Sequence, residues 1–370
     1  MDINTFDENQ LVTLPANLYP NIRWQLNKNI KTILYSIIKK QINNIDIFSL
    51  EHSMNNYNDN GYNINNVANS NSDNGYNINN NVASSNNNDI NINNEKYKAE
   101  HYSCQLQGRR QYMEDAHIIF CINDWNVYAV FDGHGGDSIS EWLRENISKM
   151  LWPILSIETS PNVMMNMLKK TIIRMDKNLF YTNKKPSGTF TGLEEGSTLI
   201  VLLFNTIKKH AYTINIGDSS ACIFKSDAIV FCTKDHKPND PIEKNRILQS
   251  NHKVYFDGWG SARIDGSLAV SRAIGDFYFK IDNNDDYMGI YSAVSPEPDI
   301  QFIDLSAESG NVYAYVCSDG VTDGLPHANI VKEANIALEK ETLKNVCEII
   351  MNKAYILSMD NMTLILIKLL

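Results

Sequence analysis

Acidic residues recur at the ends of apolar, strand-like runs, and this repetition constrains both the fold and the function of the chain. The runs are NVYAVF before Asp132, AYTINI before Gly217-Asp218, NVYAYVCS before Asp319 and MTLILIKLL after Asp360-Asn361. Carboxylates are hydrated and repel one another, so placing several where strands leave a core is costly without a counter-charge. Hard divalent cations with oxygen ligands supply that charge. One such acid is usually a turn residue, but this set, with Glu114-Asp115 as a further cluster, indicates a metal site.

Strand-like and helix-like segments occur in groups along the chain instead of alternating. The sequence predicts strands at 101–105, 126–131, 197–204, 210–216, 221–233 (broken by a turn near Ser226), 312–317 and 363–369. It predicts helices at 138–151 and 161–181, and a second pair at 328–339 and 341–357. Grouped strands favour antiparallel sheets, and buried runs such as STLIVLLF favour sheets packed face to face. We therefore expect an α+β fold, a four-layer α-β-β-α sandwich of two antiparallel sheets flanked by helix pairs.

Composition argues against several classes of protein. The 370 residues carry a formal net charge of −10, which disfavours nucleic acid or an anionic membrane as the main partner. No apolar run reaches membrane-spanning length, the acidic start is not typical of a signal peptide, and Asp2 rules out N-myristoylation. The six scattered cysteines predict buried, reduced thiols in place of disulfides. We expect a cytoplasmic or nuclear protein with no transmembrane segment and a monomeric catalytic domain.

The composition changes sharply before residue 95. Residues 54–94 contain 20 Asn and no Lys or Arg, and the octapeptide DNGYNINN occurs in them twice. Their apolar content is too low to offset the entropy of ordering, so we predict a disordered low-complexity insert, with an interaction segment or a spacer as the alternative. Residues 1–53 form an N-terminal extension with a predicted amphipathic helix, which packs on its own domain or docks on a membrane or partner. Residues 95–370 are the expected catalytic domain.

The string Asp132-Gly133-His134-Gly135-Gly136 follows a buried run and combines three chemical groups. Its glycines allow a sharp turn that brings the Gly133 carbonyl next to an ion. Asp132 has two oxygens, enough to bridge two cations, and His134 can donate a proton near neutral pH. A plain Gly-rich turn is the alternative interpretation.

Arg110 and Glu114 are four residues apart, so in an extended segment their side chains project to the same side. Arg can bind phosphate and Glu can bind a metal ion, although an isolated pair of this kind also suits a surface ion pair. Asp319, Asp323 and Asp360 complete the acidic set, and no His or Cys cluster has zinc spacing, so Mg²⁺ or Mn²⁺ is expected. No P-loop, GxSxG elbow or Cys nucleophile motif occurs, which leaves metal-activated water as the natural nucleophile.

Eight motifs occur in the order typical of one enzyme family. They are GRRQYMEDAH (108–117), VFDGHGG (130–136), EGSTLIV (195–201), NIGDSSA (215–221), DHKP (235–238), GSLAVSRAIGD (266–276), CSDGVTD (317–323) and DNMTLIL (360–366). On these motifs residues 98–370 resemble the metal-dependent Ser/Thr protein phosphatases of the 2C type, the PPM family. The resemblance implies a β-sandwich flanked by helix pairs. It also implies hydrolysis of phosphoserine and phosphothreonine in phosphoprotein substrates by a water that bridges two divalent metals.

The same resemblance implies roles for individual residues. The implied metal ligands are Asp132, which bridges both ions, Gly133 through its carbonyl, Glu114, Asp319, Asp360 and, at a weaker third position, Asp218 and Asp323. Arg110 would hold the substrate phosphate, and His134 would protonate the leaving oxygen. Asp115 and Asn361 would lie behind the ligands and support them.

Two departures from the family pattern bear on the site. Ser220 follows the GDS triplet where Arg is common, and SNHKVYFDGWG (250–260) replaces a Gly-Gly pair, so the flap that shapes substrate access is expected to differ.

Two alternatives to an active phosphoprotein phosphatase remain open. One is a pseudophosphatase that binds phosphoproteins without turnover, which the complete ligand set disfavours. The other is a hydrolase of small phosphate esters.

Overall fold

The computed structural model describes residues 83–84, 89–91, 99–183, 194–226, 228–282 and 285–370, all of which belong to the unit Tyr76–Leu370. The predicted N-terminal extension (1–53) with its amphipathic helix lies outside the described residues, as does most of the Asn-rich segment. Two short strands are present in that segment, Ala83–Ser84 and Asp89–Asn91. Disorder of the segment as a whole, and the domain boundaries, stay predictions.

The described residues form seventeen strands and six α-helices. The strands are β1 (Ala83–Ser84), β2 (Asp89–Asn91), β3 (His101–Leu106), β4 (Ala116–Ile122), β5 (Trp125–Phe131), β6 (Gly133–His134), β7 (Gly196–Ser197), β8 (Leu199–Asn205), β9 (His210–Ile216), β10 (Ser220–Lys225), β11 (Ala228–Cys232), β12 (Val254–Phe256), β13 (Ala262–Ile264), β14 (Ile274–Gly275), β15 (Asp299–Asp304), β16 (Tyr313–Cys317) and β17 (Met362–Lys368). The helices are α1 (Ser138–Leu155), α2 (Pro161–Asn183), α3 (Pro241–Gln249), α4 (Asp319–Gly324), α5 (His327–Leu338) and α6 (Leu343–Tyr355). None of these helices is both long and apolar enough to cross a bilayer.

Two six-stranded sheets lie at the centre of the fold. One has the order β1-β3-β17-β16-β10-β11 and the other has the order β15-β9-β8-β5-β4-β2. Neighbouring strands in both sheets are antiparallel except β2 and β4, which are parallel. Helix α6 packs against β3 and β17 of the first sheet, while α1 packs against β4 and β5, and α2 against β15, of the second. The predicted α+β sandwich with flanking helices is confirmed.

Successive side chains of the central strands point to opposite faces of the sheets, and this alternation divides the hydrophobic core into two layers. On β17, Ile365 and Ile367 belong to a cluster that also contains Ile200 of β8 in the other sheet. Leu364 and Leu366 belong to the cluster formed with α5 and α6. Successive side chains of a strand point to opposite faces, so this one strand contributes to both layers. Every residue of β8 is buried, as the run STLIVLLF predicted.

Besides several strands of only two or three residues, the sequence pattern did not indicate two longer strands, β4 and β15, or the helices α3 and α4. β4 is a nearly fully buried apolar run with no period that separates strand from helix. β15 is a partly exposed edge strand of mixed polarity. α3 is marked mainly by its N-terminus, where Pro241 occupies the first turn and the Asp240 side chain accepts a hydrogen bond from Ile242 N at 3.0 Å.

The prediction of reduced cysteines is wrong for one pair. Cys222 and Cys232 form a disulfide, with 4.1 Å between their Cα atoms. They lie directly opposite each other in the β10–β11 hairpin, beyond a shift of register between Ile223 and Phe224. The hairpin therefore brings together two thiols that look scattered in the sequence. Cys317 and Cys347 are buried thiols, as predicted.

A fully buried ion pair joins α2 to the segment after β14. Lys280 Nζ lies 2.9 Å from each oxygen of Asp176 and donates to the Ala273 carbonyl at 2.8 Å. Asp176 also accepts hydrogen bonds from Gly275 N at 2.8 Å and Tyr287 Oη at 2.6 Å. Burial lowers the pKa of Lys280, and the neighbouring Asp176 carboxylate opposes that shift. The buried charges of Lys280 and Asp176 therefore stabilise each other, and neither would be stable there alone.

Asp176→Ala should lower the free energy of unfolding by about 3–5 kcal/mol, because Lys280 would be left as an unpaired charge in the core. Urea unfolding followed by circular dichroism measures the loss. Lys169→Ala is the matched control, since it removes a partly exposed ion pair with Glu297 and should cost at most about 1 kcal/mol. Equal losses for the two variants would contradict the importance assigned to the buried pair.

Candidate active site

The strand register brings the acidic motifs to one end of the two sheets. The last residue of β5 pairs with the first residue of β4. The last residue of β16 pairs with the first residue of β10 and with a residue near the start of β17. The acidic residues that adjoin these strand ends are Glu114, Asp115, Asp132, Asp218, Asp319 and Asp360. The structure therefore brings together the carboxylates that the sequence pattern singled out.

Burial and mutual repulsion make the central carboxylates difficult to ionise. Burial raises the pKa of Asp132 well above its ordinary value, and the charges of Asp319, Asp115 and Asp218 raise it further. The pKa of Asp319 is also raised well above its ordinary value, by burial first and then by Asp218. A bound cation would relieve this repulsion, and carboxylate oxygens are the ligands that Mg²⁺ and Mn²⁺ prefer. The chemistry of the donor set fits such ions.

Side-chain cations of the chain itself face two members of the cluster. Lys237 Nζ lies 2.5 Å from Asp218 Oδ2, and Arg110 Nη2 lies 2.5 Å from Asp360 Oδ2. The described part of the chain has no group of three or more His, Cys, Asp or Glu residues arranged to hold a metal ion. Asp218 and Asp360 are thus paired with side-chain cations, while the cluster as a whole keeps the excess of negative charge that suits a bound cation. The raised pKa values of Asp132 and Asp319 indicate that the pairs do not neutralise the cluster.

Asn361 fixes the backbone beneath Glu114. Its Oδ1 accepts a hydrogen bond from Glu114 N at 2.8 Å, and its Nδ2 donates to Gln107 O at 2.7 Å and to Tyr112 O at 2.9 Å. Ser140 Oγ donates to the Glu114 carbonyl at 2.6 Å. These bonds hold Glu114 at the start of β4, which agrees with the supporting role expected for Asn361.

Asp115 lies buried behind the cluster. Its Oδ2 accepts hydrogen bonds from Ser318 Oγ and Thr363 Oγ1, both at 2.7 Å. Its Oδ1 is buried without a hydrogen-bond partner. Burial raises the pKa of Asp115 to about 6, against the effect of those two hydroxyl groups. An unsatisfied carboxylate oxygen so close to Asp132 adds to the demand for positive charge.

The turn after β5 is packed too tightly for a side chain at Gly133. Gly133 N donates to Glu114 O at 3.2 Å. A Cβ atom on Gly133 would lie 2.5 Å from that same oxygen and 2.8 Å from Ser140 Oγ. Asp132 N donates to Thr198 Oγ1 at 3.0 Å, which orients the residue before the turn. The glycine is therefore required by the close approach of its own backbone to the Glu114 carbonyl.

His134 is paired with a buried carboxylate. Its Nε2 lies 2.8 Å from Asp276 Oδ2, and its side chain is 27% exposed against 2% for Asp276. Burial lowers the pKa of His134, but the Asp276 carboxylate outweighs that effect, so the pKa is raised above its ordinary value. The imidazole can therefore carry a proton near neutral pH while it remains accessible from solvent.

Lys237 and Asp276 lie at the site although sequence analysis assigned them no role. Asp276 follows β14 and has a left-handed backbone, with φ of 49°. Its partner His134 is 142 residues away in sequence, and Lys237 is 19 residues from its partner Asp218. The available signal was their place in the motifs GSLAVSRAIGD and DHKP, since β14 has only two residues and leaves no strand pattern before Asp276, and Lys237 lies in no strand.

Three further positions named from the sequence are Asp323, Ser220 and the segment 250–260. Asp323 lies on α4, and its charge contributes to the raised pKa of Asp319. Ser220 is buried at the start of β10. The unusual segment 250–260 contributes β12 to a two-stranded hairpin with β13, and Trp259 between these strands is 96% exposed. Segment 250–260 therefore ends in an exposed hairpin tip, and its effect on substrate access stays a prediction.

Comparisons with known proteins agree with this fold. The sequence profile described as "Protein phosphatase 2C" matches residues 99–362. Protein phosphatase 1A of Homo sapiens is 31% identical over 274 residues, which cover 71% of this chain and 68% of that protein. Protein phosphatase 1B of Rattus norvegicus is 30% identical over 280 residues, also covering 71% of this chain and 68% of that protein.

Two solved structures share the architecture. A phosphatase from a pathogenic strain of Toxoplasma gondii has a TM-score of 0.61 at 24% identity, and the match covers 73% of this chain and 93% of that one. A C. elegans sex determining protein has a TM-score of 0.63 at 20% identity, and the match covers 75% of this chain. The present chain spans 66% of that protein, just under two thirds of its length. At these identities the likeness supports the fold alone.

Gly196→Ala should separate the His134–Asp276 pair. A Cβ atom on Gly196 would overlap Asp276 Oδ2 and lie 2.5 Å from His134 Nε2. We expect the free energy of unfolding to fall by about 1–3 kcal/mol, as in other overpacked sites. We also expect the pKa of His134, followed by NMR of the imidazole, to fall as the carboxylate moves away. Gly258→Ala is the control because a Cβ atom there meets nothing within 4 Å. An unchanged His134 pKa in Gly196→Ala would contradict the assigned contact.

Proposed function

The chain belongs to the protein phosphatase 2C family and is a serine/threonine protein phosphatase, and we propose that it works with two divalent cations, Mg²⁺ or Mn²⁺. The observation that carries the proposal is the cluster of buried carboxylates around Asp132 and Asp319, whose pKa values are raised by burial and then by the charges of neighbouring carboxylates. Arg110 and His134 adjoin this cluster and supply the groups that phosphate-ester hydrolysis needs. The proposed substrates are phosphoserine and phosphothreonine in proteins.

The carboxylates would hold the cations at the ends of the strands. The proposed ligands are Asp132, shared by both ions, the Gly133 carbonyl, Glu114, Asp319, Asp360 and, for a weaker third ion, Asp218 and Asp323. When bound, the cations would lower the pKa of a water molecule between them and neutralise charge on the phosphate. Asp115 and Asn361 would support this set through the hydrogen bonds that fix Glu114 and the start of β17.

Arg110 would bind the phosphate of the substrate. Its side chain is 51% exposed and contacts Asp360 through Nη2, so a phosphate can reach the remaining N–H groups of the guanidinium. Arg presents these donors in a planar fork that matches phosphate oxygens. The ion pair with Asp360 also keeps Arg110 directed toward the carboxylate cluster, where the phosphate would have to lie.

His134 would donate a proton to the leaving oxygen of serine or threonine. An alkoxide is a poor leaving group, so protonation in the transition state assists its departure. Asp276 holds Nε2 of His134 by a hydrogen bond of 2.8 Å, which leaves Nδ1 to carry the transferable proton. The Asp276 carboxylate also stabilises the protonated imidazole until transfer occurs.

Asp132→Ala tests the proposed mechanism. Because this carboxylate would serve both cations, its loss should lower kcat/KM for a phosphothreonine peptide in Mn²⁺ by at least about 10²-fold. Asp304→Ala is the matched control. Asp304 pairs with the first residue of β9, whereas the site carboxylate Asp218 follows the other end of that strand, so this variant should keep full activity.

Other outcomes of the same assay would point to other functions. Full activity in Asp132→Ala would contradict the metal-dependent mechanism. A wild-type chain that binds the phosphopeptide but does not hydrolyse it would be a phosphoprotein-binding pseudophosphatase. Faster hydrolysis of free nucleotides than of the peptide would indicate a hydrolase of small phosphate esters.

A further inference from the structure

Four large apolar side chains lie exposed in two loops beside the proposed site. The exposed fractions are 74% for Tyr112, 70% for Ile356, 72% for Leu357 and 66% for Met359. We call these four residues the flank surface. Single exposed apolar residues are normal on proteins, but a group of them next to a site marks a place where a ligand or partner binds.

Side-chain hydrogen bonds join the two loops of the flank surface. Arg109 Nη1 donates to the carbonyl of Ser358 and lies 3.6 Å from Met359 Sδ. Asn361 Nδ2 donates to the carbonyl of Tyr112 at 2.9 Å. The loop before β4 and the loop before β17 are thus held side by side, so their exposed side chains belong to one surface.

The flank surface is continuous with the groups proposed to bind metal and phosphate. Met359 directly precedes Asp360, and Tyr112 lies two residues from both Arg110 and Glu114. Consecutive Cα atoms are about 3.8 Å apart, so these Cα atoms lie within about 8 Å of the site residues. When the phosphorylated residue of a peptide occupies the site, the residues next to it are therefore within reach of this surface.

We propose that the flank surface binds the substrate polypeptide next to the phosphorylated residue and favours phosphoproteins with a large aliphatic or aromatic residue there. An extended peptide advances about 3.3–3.6 Å per residue, so the apolar residue should lie within about three positions of the phosphoserine or phosphothreonine. The assignment rests on the proposed phosphatase function and adds a class of preferred substrate to it.

Peptide kinetics with the full chain in Mn²⁺ test this proposal. The substrates are phosphothreonine peptides of Gly and Ser in which one Leu occupies each position from three before to three after the phosphothreonine, and a peptide without Leu. We expect kcat/KM to rise about tenfold for at least one Leu position, the effect of partly burying one Leu side chain. In the double variant Leu357→Ser/Met359→Ser, the values of kcat/KM for the different peptides should agree within about twofold.

Ile207→Ser is the matched control for the loss of an exposed apolar side chain. Ile207 is 58% exposed in the turn between β8 and β9, at the end of β9 away from Asp218. This variant should keep the preference for Leu-containing peptides. If Leu357→Ser/Met359→Ser does not fold, as judged by its Tm, Tyr112→Ser and Ile356→Ser replace it in the same assay.

The outcomes separate this proposal from the function on which it rests. Equal rates on all peptides would overturn the binding role proposed for the flank surface, while the phosphatase function would stand. A preference for Leu-containing peptides that persists in the folded variants would have the same meaning. Failure to hydrolyse any peptide and p-nitrophenyl phosphate as well would overturn both. Equal peptide rates together with a dimer that the double variant abolishes in sedimentation would assign the surface to a second copy of the chain and also overturn the proposal.

Discussion

Repulsion among carboxylates at the ends of buried strands is the constraint on which the rest of this structure depends. The sandwich buries Asp132 and Asp319 beside other carboxylates, and burial followed by the charge of neighbours such as Asp218 raises their pKa values well above the ordinary range. Such an arrangement costs stability unless positive charge offsets it. Lys237 and Arg110 supply part of that charge. Divalent cations would supply the remainder, which connects the cost of the fold to the proposed chemistry.

Buried hydrogen bonds outside the carboxylate cluster support the residue that holds His134. Asp176 accepts hydrogen bonds from Lys280 and Gly275, and Gly275 directly precedes Asp276, which holds His134. A buried ion pair in the helical layer is therefore linked through one turn to the proposed proton donor. Catalytic groups need supporting contacts of this kind to keep their geometry. The fold provides them from strands and helices that are far apart in sequence.

Sequence predicted the parts of this molecule that depend on local pattern. Long apolar runs identified most central strands, and the acidic residues at their ends identified the carboxylate cluster. β15 was missed because an edge strand of mixed polarity has no clear period. The Cys222–Cys232 disulfide and the His134–Asp276 pair were missed because they depend on register and on tertiary packing. Neither can be read from the composition of a single segment.

Calorimetric titration of the metal-free protein with Mn²⁺ tests the central claim most directly, because it measures cation binding without reference to activity. If the carboxylate cluster exists to hold two cations, the wild-type chain should bind about two ions per molecule, and its Tm should rise on binding. Asp132→Ala should lose most of the heat of binding and most of the rise in Tm. Absence of binding by the wild type, or equal binding by Asp132→Ala, would contradict the claim that these carboxylates form a metal centre.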